Sequence, residues 1–89
     1  MSRVLVLRPS FFRSRVSHAP VGSTADIAIR LVIRQLAGAP VLPGPKDTPD
    51  LRMLEEQLYA RPIPGTDLAL LYGFDAREVR IRAIRPAVW

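Results

Sequence analysis

The chain has 89 residues, no cysteine, one histidine and a formal net charge of +5. Its length suits a single small domain over residues 1–89, and its hydrophobic fraction of 48% is too high for a disordered segment. Without cysteine there are neither disulfides nor thiolate metal sites, so we expect no metal and no cofactor. No apolar run is long enough to cross a membrane, and the apolar stretch after Arg3 is too short for a signal peptide, which favours a cytoplasmic protein.

The positive charge is arginine-rich and unevenly placed. Twelve of the 13 basic residues are arginine, and the first 25 residues contain four arginines and no carboxylate. A GC-rich genome explains the preference for arginine over lysine equally well, but it does not explain the excess of positive charge. Such an excess suits a protein that meets nucleic acid, a ribosome or an acidic protein.

The N-terminal part is predicted to form a short strand followed by a short helix. Residues 4–7 are branched and apolar, which is typical of a strand. Pro9 ends that strand and is tolerated at the start of a helix over residues 10–16, because its missing N–H is not needed there.

The clearest helix is the second one. Ser23 is a good N-cap, Asp26 can complete a capping box with it, and Gly38 and Pro40 end the helix. Apolar side chains cover most of its surface. We therefore expect it to be buried on more than one side, either against a sheet and another helix at once or against a partner.

A proline-rich loop over residues 41–48 follows. Thr48 and Pro49 have the chemistry of a helix N-cap and first helical residue. Leucines then recur with helical spacing at Leu51, Leu54 and Leu58. This pattern predicts a short third helix that runs to about Gln57.

The C-terminal third is predicted to be a three-stranded meander. Its turns are Pro64-Gly65-Thr66 and Asp75-Ala76-Arg77. The middle strand has apolar residues on both faces, so it should be central. In the last strand, Val79, Ile81 and Ala83 alternate with Glu78, Arg80 and Arg82, which places cations on one face. The predicted fold is an α+β domain of order β-α-α-β-β-β, in which two or three helices pack on an antiparallel sheet.

Three stretches of the chain resemble the RelE/ParE superfamily of toxins from bacterial type II toxin–antitoxin modules. They are Arg8-Pro9-Ser10 at the end of the first strand, AIRLVIRQLAGAP (residues 28–40), and LYARPIPGTDLALLYGFDAREVRIRAI (residues 58–84). The resemblance covers nearly the whole chain. It departs at Ala69, where many members carry an arginine, and after Arg85, where members usually continue with basic residues.

The resemblance implies a growth-inhibiting toxin that binds a cognate antitoxin protein. RelE-like members cleave messenger RNA on the ribosome, and ParE-like members inhibit DNA gyrase. We expect the RelE-like ribonuclease activity. A ParE-like gyrase inhibitor and a non-toxic basic adaptor are the alternatives.

Cleavage of RNA requires groups that stabilise charge on phosphorus and groups that transfer protons. The catalytic candidates are therefore Arg61, Tyr72, Arg80, Arg82 and Arg85, and the candidates for nucleic-acid binding are Arg13, Arg15, Arg80 and Arg82. Each has a structural alternative. Tyr72 suits the core, and Arg80 and Arg82 can pair with Glu78 and Asp67. His18 is the one side chain of the sequence whose unperturbed pKa suits acid–base chemistry at neutral pH, but it also suits an exposed connector.

Overall fold

The computed structural model describes residues 3–50 and 57–87. Within them the elements are β1 (Val4–Leu7), α1 (Pro9–His18), α2 (Thr24–Gly38), β2 (Thr48–Asp50), β3 (Leu58–Pro62), β4 (Leu68–Phe74) and β5 (Glu78–Pro86). The five strands form one mixed sheet of order β1-β5-β4-β3-β2. The predicted α+β class and the central position of β4 are confirmed.

The sheet differs from the prediction at both edges. β1 runs parallel to β5, whereas the other neighbouring strands are antiparallel. At the other edge, Thr48–Asp50 pairs with β3 as a short strand instead of starting a helix. Pro49 is compatible with an edge strand, because its missing N–H would be a lost hydrogen bond only in a strand that is paired on both sides. The rest of the predicted helix, with Leu51 and Leu54, lies outside the described residues.

The core lies between the helices and one face of the sheet. β4 contributes Leu68, Leu70 and Tyr72 to this face, as its alternation predicted. The helices and the other strands add apolar residues, which are Phe11, Ala19, Ile29, Val32, Leu36, Ile63, Val79, Ile81 and Ile84. The opposite face of the sheet also holds buried residues, including Leu58, Ala60 and Ala69.

Helix α2 begins as predicted but is buried on one side only. The Oγ of Ser23 accepts the N–H of Asp26 at 3.2 Å, which is the expected N-cap bond. Ile29, Val32 and Leu36 are buried, whereas Ile27 and Leu31 are 64% and 56% exposed. Of the two alternatives for this helix, packing between the sheet and another helix does not account for these exposed residues, and burial against a partner stays a prediction. Its second apolar side faces outward in this chain.

Both predicted turns of the meander are confirmed. The N–H of Thr66 donates to the carbonyl of Ile63 at 3.2 Å, and Gly65 has a φ of +76°. This is the position in such a turn where glycine is favoured. At the second turn, Asp75 accepts the backbone N–H groups of Arg77 and Glu78 at 2.7 and 2.9 Å. Neither helix in the described ranges is long and apolar enough to cross a membrane.

Candidate functional site

Strand β5 contains a β-bulge. Leu71 of β4 pairs with Ala83, but the next residue, Tyr72, pairs with Ile81. Arg82 is therefore the extra residue on β5 at this shift in register. A bulge of this kind shifts the alternation of side chains beyond it by one position.

The bulge decides which arginines share a face. Ile84, rather than the predicted Ala83, is buried in the core beyond it. Arg85 consequently lies on the face opposite the helices, together with Arg80 and Arg82. In an unbroken strand, Arg85 would point to the core side instead. These three residues, Arg80, Arg82 and Arg85, are called the arginine stripe below.

Carboxylates lie beside two members of the stripe. Arg80 Nη1 contacts Glu78 Oε1 at 2.9 Å and Asp75 Oδ2 at 3.1 Å. The hydrogen bond to Glu78 raises the pKa of Arg80, so this guanidinium stays charged. Arg85 Nη2 lies 3.3 Å from Asp50 Oδ2. The pairing of Arg80 with Glu78 is one of the alternatives that the sequence left open, and these contacts hold the guanidinium groups in place on the sheet.

The Nε of Arg85 is a buried donor that is not used within the described residues. It is buried and has no hydrogen-bond partner within residues 3–50 and 57–87. A guanidinium nitrogen in that state keeps its capacity to donate to an acceptor.

Arg61 and Tyr72 lie on the other face of the sheet. Arg61 is opposite Leu70 on the helix side, and its Cζ is 6.0 Å from the ring centroid of Tyr72. Both bind the carboxylate of Asp47. Arg61 donates from Nε and Nη2 at 2.6 and 2.8 Å, and the Tyr72 hydroxyl donates to Oδ2. The five predicted catalytic residues are therefore split between the two sides of the sheet.

The Asp47 cluster is a closed network. The Asp47 side chain is fully buried, and it also accepts the backbone N–H of Gly44 at 2.7 Å. Burial raises the pKa of Asp47, but the hydrogen bonds from Arg61, Tyr72 and Gly44 outweigh it and bring the pKa below its usual value. Burial and the bond to Asp47 raise the pKa of Tyr72. A buried hydroxyl that is committed to a carboxylate is poorly placed to shuttle protons to a substrate.

The arginines of α1 have different surroundings. Arg13 is exposed, whereas Arg15 donates to Asp26 Oδ1 from Nε at 3.1 Å and from Nη2 at 2.8 Å. Asp26 is buried and also accepts the N–H of Gly22 at 3.0 Å, which is the main cause of its lowered pKa. Arg15 thus joins α1 to the start of α2, and neither Arg13 nor Arg15 lies on the face of the arginine stripe.

His18 is exposed at the end of α1, on the helix side of the sheet. Within the part of the chain that the structure describes, no three His, Cys, Asp or Glu side chains come together in a group that could hold a metal ion.

Sequence reasoning missed three sets of polar contacts. Asp47 and Asp50 were assigned no role, although each binds an arginine. The hydroxyl groups of Ser10 and Ser14 were also missed, and both contact the backbone at the bulge. Asp47 was detectable as a lone carboxylate inside a proline-rich loop. For the serines, the signal was their spacing of four on one helix face.

No family model, no curated protein sequence and no solved structure matches this chain. What the protein does must therefore be inferred from the chemistry of its own side chains.

Proposed function

We propose that this chain is the cytoplasmic toxin component of a type II toxin–antitoxin module and acts on translation, with RNA held on the arginine stripe. The observation that carries the proposal is the β5 bulge, which gathers Arg80, Arg82 and Arg85 on one sheet face. Guanidinium groups stay charged at physiological pH, and their planar fork matches phosphate oxygens. Three of them along one strand suit a backbone that carries regularly spaced phosphates.

The resemblance to the RelE/ParE superfamily supports the toxin class. It predicted a strand, two helices and a C-terminal meander, and the chain has these elements in that order. A fold alone does not define an activity, so the target is argued from the site.

In a cleavage reaction, the arginine stripe would stabilise negative charge and would not transfer protons. If the 2′-hydroxyl attacks the neighbouring phosphate, guanidinium groups stabilise the negative charge that develops on phosphorus. Tyr72 and His18, the two proton-transfer candidates from the sequence, both lie on the helix side. Their position limits the proposed role of the described residues to RNA binding and charge stabilisation.

The enclosed hydroxyl of Tyr72 favours a second candidate function, inhibition of DNA gyrase. A toxin that acts by binding needs an exposed surface and no proton shuttle. In this case the stripe contacts the acidic surface of a protein or DNA held by the enzyme, and no RNA is cut.

The test is controlled expression in a bacterium, with growth followed alongside pulse labelling of protein and DNA synthesis. We expect rapid loss of protein synthesis and fragmentation of messenger RNA. Loss of DNA synthesis with filamentous cells would support the gyrase alternative. Normal growth with folded protein present would refute the toxin proposal.

Two variants connect the result to the site. Arg80→Ala combined with Arg82→Ala should relieve growth inhibition, whereas Arg8→Ala combined with Arg77→Ala removes the same charge from exposed positions off the stripe and should leave it unchanged. Circular dichroism confirms that each purified variant is folded. A third variant, Tyr72→Phe, should remain toxic if the hydroxyl is structural, and loss of toxicity in a folded Tyr72→Phe protein would restore it as a catalytic candidate.

A further inference from the structure

The outer edge of the sheet at β1 carries unpaired backbone groups. β1 is an edge strand and pairs in parallel with β5. The N–H groups of Val4 and Arg8 donate toward β5 and the turn before it, at 2.9 and 3.0 Å. Because alternate residues of a strand point their N–H groups to opposite sides, those of Leu5 and Leu7 point to the open edge. Within the described residues neither has a hydrogen-bond partner.

An apolar groove runs beside this edge. It has a volume of about 350 Å³ and lies between β1, α1 and α2. Leu5 and Leu7 form its floor on the strand side, since they pair with core-facing residues of β5, and each is 39% exposed. Its other apolar walls are Phe11, Phe12, Ile29 and Ile33. Apolar surface of this kind next to an open strand edge is a frequent site of strand addition.

The charged residues that line the groove are all arginines, namely Arg15, Arg30 and Arg34. Arg15 and Arg30 share the buried carboxylate of Asp26, which is only 2% exposed and faces inward. Arg34 is exposed and makes no ion pair with a carboxylate of the described chain. The groove is therefore complementary to a segment that brings its own carboxylates.

We propose that the β1 edge and this groove form a docking site for an extended acidic segment of a different protein. The segment adds as a strand beside β1, and its carbonyl groups accept the N–H groups of Leu5 and Leu7. The side chains on the helix-facing side of this strand are both apolar and acidic: the apolar ones enter the groove, and the carboxylates meet Arg30 and Arg34, which line it. The inference stands apart from the proposed function, since it follows from the edge and the groove alone.

A second copy of this chain is a poor occupant of the site. Each copy has a formal net charge of +5, and pairing two β1 strands would bring their flanking arginines, Arg3 and Arg8, close together. Like charges placed opposite each other across a strand pair are destabilising. A bound helix also fits less well, because its backbone groups are already paired internally and leave the N–H groups of Leu5 and Leu7 without acceptors.

The probe is a fluorescent synthetic peptide of about ten residues, long enough for one strand, in which leucines and glutamates share one face and threonines occupy the other (the one-face peptide). A matched two-face peptide has the same composition, but its leucines and its glutamates lie on opposite faces. Binding is measured by fluorescence anisotropy at about 0.15 M salt, because salt at this concentration weakens binding that depends on net charge alone. We expect the one-face peptide to bind about tenfold more tightly than the two-face peptide, because only the one-face peptide presents apolar and acidic side chains to the groove together.

Two substitutions at one position separate the backbone from the side chain. Leu5→Ala keeps the outward N–H, and Leu5→Pro removes it. The ladder to β5 uses the alternate N–H groups, so it remains intact in both variants. We expect Leu5→Pro to bind the peptide about tenfold more weakly than Leu5→Ala. Arg34→Glu should also weaken binding, whereas Lys46→Glu, which makes the same charge change at an exposed position in the loop before β2, should not.

Amide hydrogen exchange in the unsubstituted protein provides a test that does not depend on how the variants fold. In the complex, the amides of Leu5 and Leu7 should exchange at least about tenfold more slowly than in the free protein. Unchanged exchange at these two amides would overturn strand addition. Equal binding by the Leu5→Pro and Leu5→Ala proteins, equal binding of the two peptides, or a dimer of this chain that Leu5→Pro dissociates would overturn the proposal as well.

Discussion

At the scale of single residues, Asp47 organises one side of the sheet. Its carboxylate binds donors from three parts of the chain, namely Gly44 in its own loop, Arg61 on β3 and Tyr72 on β4. In the sequence, Asp47 is 14 positions from Arg61 and 25 positions from Tyr72. The network therefore fixes the proline-rich loop against the core, and its bidentate contact with Arg61 has the geometry of the stronger ion pairs.

We predict that Asp47→Asn destabilises the protein by about 2–3 kcal/mol at neutral pH. The change preserves the size of the side chain but leaves the guanidinium of Arg61, which is only 15% exposed, without a compensating charge. Urea unfolding measures the loss. Asp67→Asn, which removes the same charge at an exposed position, is the control and should change stability by less than about 0.5 kcal/mol.

The cost of Asp47→Asn should depend on pH. The folded state holds the pKa of Asp47 below 3.8, the value of an unperturbed aspartate. Above 3.8 the carboxylate is charged in both states and its contribution is complete. As the pH falls below 3.8, the unfolded chain takes up the proton first, so the contribution shrinks until the pH passes the folded pKa. A difference between the two proteins that stays constant down to about pH 2 would contradict the charged network.

At the scale of elements, α1 and the bulge in β5 stabilise each other. The Ser10 hydroxyl donates to the carbonyl of Arg82 at 2.5 Å, and the N–H of Ile84 donates to Ser14 Oγ at 2.9 Å. A bulge removes backbone groups from the ladder, and buried groups of this kind need other partners. Two serines one helical turn apart provide them, which explains how the strand keeps Arg85 on the face of the arginine stripe.

We predict that Ser14→Ala lowers the free energy of unfolding by about 1–2 kcal/mol, because the N–H of Ile84 loses its acceptor. The amide of Ile84 should also exchange faster with solvent. Ser17→Ala is the matched control on the same helix, since Ser17 is exposed and bonds only to a carbonyl of its own helix. Equal stability losses in the two variants would show that the Ser14 bond does not support the bulge.

The elements that the sequence predicted are those defined by local chemistry. Ser23 caps α2 through a bond three residues away, and Gly65 and Asp75 shape the turns that contain them. The bulge at Arg82 was not predictable, because alternation in β5 continues through Ala83 and only pairing with β4 and α1 breaks it. Strand β2 has three residues, too few for a periodic pattern.

The candidate site was predicted in part for the same reason. The alternation of Arg80 and Arg82 on β5 identified two members of the arginine stripe. The third, Arg85, joins them only through the bulge. Arg61 and Tyr72 were grouped with the stripe because residue type suggested a role, but the side of the sheet on which each lies depends on strand register. Asp47 was missed because its partners are distant in the sequence.

At the scale of the whole molecule, charge and apolar surface remain exposed together. The radius of gyration is 12.1 Å, which agrees with a compact domain of this length. Yet the helix layer leaves Phe12, Val16, Ile27 and Leu31 between 47% and 79% exposed. An arginine-rich chain with such a layer is suited to an acidic partner that also covers apolar surface.

The exposed side of α2 provides a test of this whole-molecule arrangement. We predict that Ile27→Gln combined with Leu31→Gln changes the free energy of unfolding by less than about 0.5 kcal/mol, because both side chains are mainly in water and glutamine is a good helix former. The concentration at which the protein self-associates, measured by light scattering, should rise as apolar surface is removed. Ile29→Ala, on the buried side of the same helix, should instead cost about 2–5 kcal/mol. A large loss of stability in the double glutamine variant would mean that this side of α2 is packed against the rest of the chain, and the surface available to a partner would then have to lie elsewhere.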